Sequence, residues 1–335
     1  MPAMDRTPIA PAALDLDCEA EVRRIADFLV GTVRGFNKRG VVLGLSGGVD
    51  SSVCAALAVR ALGPGRVFGL LMPERDSSDA SSDLGAEVAR QLGIDHALED
   101  IAPALEAIGC YRWRDDAIRR LVPDYADDWK SKLVISGGQA GGINHFRLVV
   151  QPPGGSTREL RLPLREYLQI VAATNHKQRL RKTLEYFHAD RLNYAVVGTP
   201  NRLEYDQGFF VKNGDGSADV KPIAHLYKTQ VYALARYLCL PEAVCNAQPT
   251  TDTYSLPQGQ DEFYFALPYR QMDLALWAHD HGRSAAELGA ALGVSELQAR
   301  RVLDDIDAKR RATRYLHARP ALLDPVAAVA SEGRP

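Results

Sequence analysis

The residues Ser46-Gly47-Gly48-Val49-Asp50-Ser51-Ser52 form the chain's strongest local signal for binding an anion. Two adjacent glycines let the backbone come close to a phosphate, the free N–H groups of a following helix point at it, and serine hydroxyls add donors. Asp50 would repel bare phosphate but suits one that carries Mg²⁺ between the two. A plain strand-to-helix turn capped by Ser and Asp would need neither two glycines nor three serines. The lysine of a G-x-x-x-x-G-K-[ST] loop is missing here, and the pattern is not G-x-G-x-x-G.

Such a loop must be held between a strand and a helix, and the flanking sequence supplies both. GVVLGLS (40–46) is an apolar run too short for a helix and reads as a buried parallel strand, while SSVCAALAVRAL (51–62) has helical spacing. RVFGLLMP (66–73) reads as a second buried strand, giving a β-α-β unit, and YAVVG (194–198) as a third. Helices are expected over 18–36, 84–92, 102–108 and 166–189. Alternation of this kind predicts an α/β fold, a doubly wound, mainly parallel sheet with helices on both faces and ligands beyond the carboxyl ends of its strands.

Between about 110 and 165 the pattern changes. Trp113 and Trp129 sit among charges, SGGQAGGIN (136–144) and PPGGS (152–156) are glycine-rich turns, and HFRLVV and RELRLPL alternate, which predicts an inserted helix-plus-hairpin segment. Its aromatic residues are expected to serve its own small core. Residues 1–12 are expected to form a disordered or draped arm, residues 13–330 one domain, and Tyr269 to about Leu316 a helical tail.

The S-G-G-x-D-S pattern resembles the loop of the ATP pyrophosphatases, and a second block resembles one family within that group. VVGTPNRLEYDQGFFVKNGDGSADVKPIAHLYKTQVYALARYL (196–238) is similar to the signature GTxNxxE…GxFxKxGDGxADxxPxxxLxKTQV of the ammonia-dependent NAD synthetases. Asn175–Arg181 looks like that family's N-x-K-x-R-x-R helix, Pro249-Thr250-Thr251-Asp252 like its P-[ST]-A-[DE] loop, and Gln260-Asp261-Glu262 like its Q-x-D-E stretch. Outside 110–165 the resemblance covers most of residues 18 to about 310.

The resemblance implies ATP-dependent amidation of deamido-NAD to NAD by ammonia, through an acyl-adenylate, with release of AMP and pyrophosphate. It implies Mg²⁺ held by Asp50 and Glu204, and ATP contacts from Ser46, Gly47, Gly48, Asp50, Ser51, Ser52, Thr199, Lys228 and Thr250. Asn175, Arg179, Lys212, Asp215 and Asp219 are implied on the substrate, and Asp50, Asp215 and Lys228 in the chemistry. Lys212 and Lys228 are cations suited to a triphosphate. Asp215 could attract ammonium and accept its proton, or Asn213–Gly216 could be merely a tight turn. A homodimer is implied, with helix 18–36 and the tail pairing subunits.

Departures from the family pattern lie in the insertion, in Pro200, in the second loop and in RATRYLHARP (311–320) where a basic H-K-R-x-x-P motif would stand. They leave open an amide synthetase of the same fold acting on another carboxylate. SAAELGAALGVSELQARRVL (284–303) also reads as a helix-turn-helix, yet a net charge of -2 gives no overall attraction for nucleic acid or an anionic membrane. Five cysteines without a C-x-x-C pair predict a reducing compartment, the cytoplasm, with neither disulfides nor zinc. The N-terminus lacks a signal-peptide pattern, and no run approaches the about 20 apolar residues of a membrane span.

Overall fold

The structure, a computed structural model, describes residues 8–136, 145–248, 254–256, 259, 264–265, 267–324 and 326. Helix α1 (Cys18–Gly35) is started by Asp17, whose carboxylate accepts from the Ala20 N–H. It leads to β1 (Val41–Gly44), α2 (Val49–Leu62), β2 (Val67–Leu71), α3 (Asp79–Leu92) and β3 (Asp95–Leu98). Next come α4 (Ala102–Ile108), α5 (Cys110–Arg119), β4 (Lys130–Ser136), β5 (His145–Gln151) and β6 (Arg158–Arg161). The rest comprises α6 (Leu164–Leu192), β7 (Ala195–Val196), α7 (Arg202–Gln207), α8 (Lys228–Tyr237), α9 (Glu242–Asn246), α10 (Tyr269–Asp280), α11 (Ala285–Leu292) and α12 (Glu296–His317).

Strands β3-β2-β1-β7 form a parallel sheet in that order, with Val41 opposite both Val67 and Ala195. The central strand β1 is buried on both faces, as its uninterrupted apolar run requires. Helix α2 buries Val53 through Ala58 between the sheet and helices α1 and α8, and its small side chains let those elements approach. This is the expected doubly wound core, and the loop after β1 stands at the sheet's carboxyl edge.

Some expectations need adjustment. Helix α2 begins at Val49, two residues earlier than its periodicity indicates, so Asp50 lies in its first turn, where a negative charge is favourable. Strand β3 was not expected, because Asp95-His96-Ala97-Leu98 has no apolar run; it is the sheet's edge. The third strand shrinks to two residues, with Val197 bridging to Val220. The insertion holds helix α5, as expected, and in place of the expected hairpin a three-stranded antiparallel sheet, β4-β5-β6. The tail is three helices, and the helix-turn-helix-like segment is α11 and the start of α12, whose Leu288, Ala299 and Val302 are buried. From Pro11 the N-terminal arm is a short 3-10 turn that buries Leu14. Among the described residues no helix is long and apolar enough to cross a membrane.

Candidate active site

One cavity of about 1040 Å³ runs from the loop after β1 along α6 to the insertion. The loop itself is shaped by Gly47, at φ +75, where a Cβ would lie 2.6 Å from the Ser81 carbonyl. Gly48 N–H donates to Ser46 Oγ at 3.3 Å, Ser51 Oγ donates to the Gly48 carbonyl at 3.1 Å, and Ser52 Oγ donates to the same carbonyl at 2.8 Å. Ser46, Gly47, Gly48, Asp50 and Ser51 line the cavity. Ser52 does not; it is fully buried and holds the turn.

Asp50 faces Lys228, the first residue of α8, and their side chains form an ion pair in which Lys228 is buried and Asp50 partly so. The other Asp50 oxygen accepts from Asn201 Nδ2 at 3.1 Å. Asn201 in turn caps α7 in a reciprocal box with Glu204, each side chain accepting the other's backbone N–H at 3.2 Å. Burial alone would lower the Lys228 pKa, but the carboxylates of Asp50 and Glu204 and the bond to Asp50 hold it well above the usual lysine value. The group therefore stays a cation at neutral pH.

Helix α8 is aimed by Asp273 of α10. Its carboxylate accepts from Lys228 N at 3.3 Å and from Thr229 N and Oγ1 at 2.7 Å each. Burial pushes this carboxyl up to about 6, while Thr229 and the backbone donors pull the other way. Neither Asp273 nor Asn201 was singled out from sequence. The N-x-x-E spacing from Asn201 to Glu204 was a legible capping signal; Asp273 offered none.

Elsewhere in the cavity lining Arg179 Nε donates to the Lys212 carbonyl at 3.2 Å, and Lys212 Nζ donates to the Tyr315 carbonyl at the end of α12, at 2.7 Å. Asp215 accepts from the Val211 N–H at 2.7 Å, and Glu185 accepts from Lys182 at 2.5 Å. Burial raises both carboxyls, Val211 and Lys182 oppose this for Asp215, and Lys182 opposes it for Glu185. Glu185, unforeseen in the sequence, lines the cavity with Asn175, Arg179, Thr199, Glu204, Lys212, Asp215 and Lys228. Asp219 lies outside that lining: it is exposed, and its carboxylate accepts from the Val196 N–H at 2.7 Å, fastening β7. Thr250, with the rest of Pro249–Asp252 and with Gln260-Asp261-Glu262, lies outside the described residues.

Asp50 and Glu204 are two carboxylates on one wall, with a lysine between their fields. Among the described residues no group of three or more His, Cys, Asp or Glu could hold a metal ion by itself. That donor set fits a divalent ion that takes one or two carboxylates and completes its shell with phosphate and water. All five cysteines are free.

The family model for NAD synthase matches residues 21–120 and 157–314. The chain is 60% identical over 311 residues to an NH(3)-dependent NAD(+) synthetase of Mesorhizobium japonicum, covering 92% of this chain and 98% of that one. It is 57% identical over 326 residues to the enzyme of the same name from Rhizobium meliloti, covering 97% and 98%. In fold it is similar to the NMN synthetase of Francisella tularensis, with a TM-score of 0.63 at 23% identity, over 93% of this chain and 100% of that one.

Proposed function

The chain belongs to the NAD synthase family, and from that premise we propose that its cavity carries out ATP-dependent amidation of deamido-NAD by ammonia. The observation that carries the reading is the meeting of the phosphate loop, Asp50 and Lys228 in one cavity with Glu185 and Asp215. A different carboxylate is not favoured by relatives that share one name at 57% and 60% identity.

The loop N–H groups and serine hydroxyls bind the phosphates of ATP, and Lys228 compensates the charge that builds on the departing pyrophosphate. A carboxylate oxygen of deamido-NAD attacks the α-phosphorus as the bond to the β-phosphate's bridging oxygen breaks, giving an acyl-adenylate. Ammonia then adds to the acyl carbon, AMP leaves, and the surplus proton passes to Asp215 or to water. Asp50 and Glu204 would hold Mg²⁺, which would supply neutralisation of the phosphate charge. Arg179 and Lys212 shape the wall on which the substrate rests.

Free ammonia is the nitrogen donor: none of Cys110, Cys239 and Cys245 has the local context of a nucleophile with its base, and burial pushes the Cys110 thiol up to about 11. The purified chain converts deamido-NAD to NAD with ammonium, faster at alkaline pH. Equal rates with glutamine alone would contradict this. Exposed Phe28 and Phe36 on and beside α1 support a homodimer, which light scattering at micromolar concentration would refute by giving only the 36.7 kDa monomer. Free cysteines throughout support a cytoplasmic location, which fractionation of expressing cells tests.

A further inference from the structure

The insertion reaches into the catalytic cavity. Phe146 of β5 stacks on Tyr167 of α6, with ring centroids 3.9 Å apart and planes 21° from parallel. Both rings are only partly buried and both line the cavity, with Val171, Thr174 and Tyr254 beside them. Tyr254 is held by a side-chain hydrogen bond with Thr174. The rings of Phe146 and Tyr167 also rest against the insertion's own core, as Trp129 does and as expected for it from sequence, whereas Trp113 is exposed and Tyr111 belongs to a separate cluster. Phe146 falls within residues 121–156, which the family match leaves out.

From this geometry we infer that Phe146 and Tyr167 form a stacking site for the adenine base of the dinucleotide substrate. The inference rests on the amidation assignment above. Glu185 lies against Gly44 at the end of β1, where a Cβ would come 3.3 Å from its carboxylate. Tyr167 stands eighteen residues earlier on the same helix, or about 27 Å away. ATP anchored at the loop carries its base only one nucleoside beyond the reacting phosphorus. Deamido-NAD continues past its reacting ring through a ribose, a pyrophosphate and a second nucleoside, so it is the substrate with the reach. A planar base against a rigid aromatic pair gains stacking energy without a hydrogen-bond code.

The test compares wild type with Phe146→Leu, which keeps apolar volume but loses the ring, and with Phe146→Trp, which keeps a ring. Phe146→Leu should raise the KM for deamido-NAD by about tenfold, the scale of one lost base–aromatic stack, leaving the KM values for ATP and ammonium within about twofold. Phe146→Trp should stay near wild type. With nicotinate mononucleotide, which lacks the adenosine half, wild type and Phe146→Leu should be equally slow. If Phe146→Leu misfolds, Tyr167→Leu carries the same expectation from the other side of the pair. An unchanged KM for deamido-NAD, a shift that falls on ATP instead, or an equal loss with the mononucleotide would overturn the inference. A wild-type chain that makes no NAD from deamido-NAD would instead refute the amidation assignment itself.

Discussion

Lys228 and Lys177 are both buried against carboxylates, and they differ in what lies beyond the pair. Lys228 keeps 3% of its side chain exposed and its partner Asp50 keeps 17%, and both line the cavity. Lys177 is as buried, but its partners Glu74 and Asp76 keep 0% and 5%, and none of the three lines it. Lys177 donates to Glu74 at 2.9 Å and to Asp76 at 2.6 Å, Tyr111 donates to Glu74 at 2.9 Å, and Arg114 pairs with Asp76 and Asp115. This closed group ties the loop after β2 to α5 and α6. Burial would raise the Asp76 carboxyl, yet Lys177 and Arg114 hold it below the ordinary value. On the proposed function, the same chemistry serves structure where the charges face one another and catalysis where one side is left for a substrate.

The largest effect should come from the open pair. Asp50→Asn and Glu204→Gln each lower pyrophosphate release by about a hundredfold or more while the unfolding temperature stays near wild type, because they remove charge beside the phosphates without emptying a core. Wild-type turnover in both at saturating Mg²⁺ would remove these residues from the site.

The closed group should respond the other way round. Lys177→Met leaves Glu74 and Asp76 buried with too few cations and costs about 3–5 kcal/mol of stability. Where it remains folded, it keeps most of its turnover. A variant with unchanged denaturant midpoint and lost activity would move Lys177 from the structural to the catalytic side of the comparison.

A smaller effect separates Lys228 from the residue that aims it. The folded protein holds the Asp273 proton up to about 6, against 3.8 ordinarily, so this carboxyl favours the fold at low pH and loses that contribution as pH rises through 6. The stability of wild type relative to Asp273→Asn should therefore fall by about 3 kcal/mol between about pH 4 and pH 7. A pH-independent difference in unfolding free energy would contradict the assignment.

Legibility in the sequence followed contiguity. The phosphate loop and the 196–238 block are continuous stretches whose residue types declare their chemistry, and the cavity gathers most of the residues read from them. Asp219 belongs to the same block, but its carboxylate turned to backbone at β7, which no spacing rule reveals. Asp273 acts across 45 positions on the start of α8, and Glu185 lies on the same helix as the Asn175–Arg181 motif yet beyond it. Lys177 sat within that motif without a visible partner, because Glu74 and Asp76 are about a hundred residues away and only folding brings them together. Strand β3 was illegible because an edge strand needs no apolar run.

The central claim is that the nicotinate carboxylate is activated as an adenylate before ammonia arrives. Deamido-NAD labelled with ¹⁸O in that carboxylate, incubated with ATP, ammonium and this protein, tests it directly by mass spectrometry of the nucleotide product. One labelled oxygen in AMP is the predicted result, since the attacking oxygen leaves with the α-phosphate. AMP free of label, or ADP in its place, would contradict it.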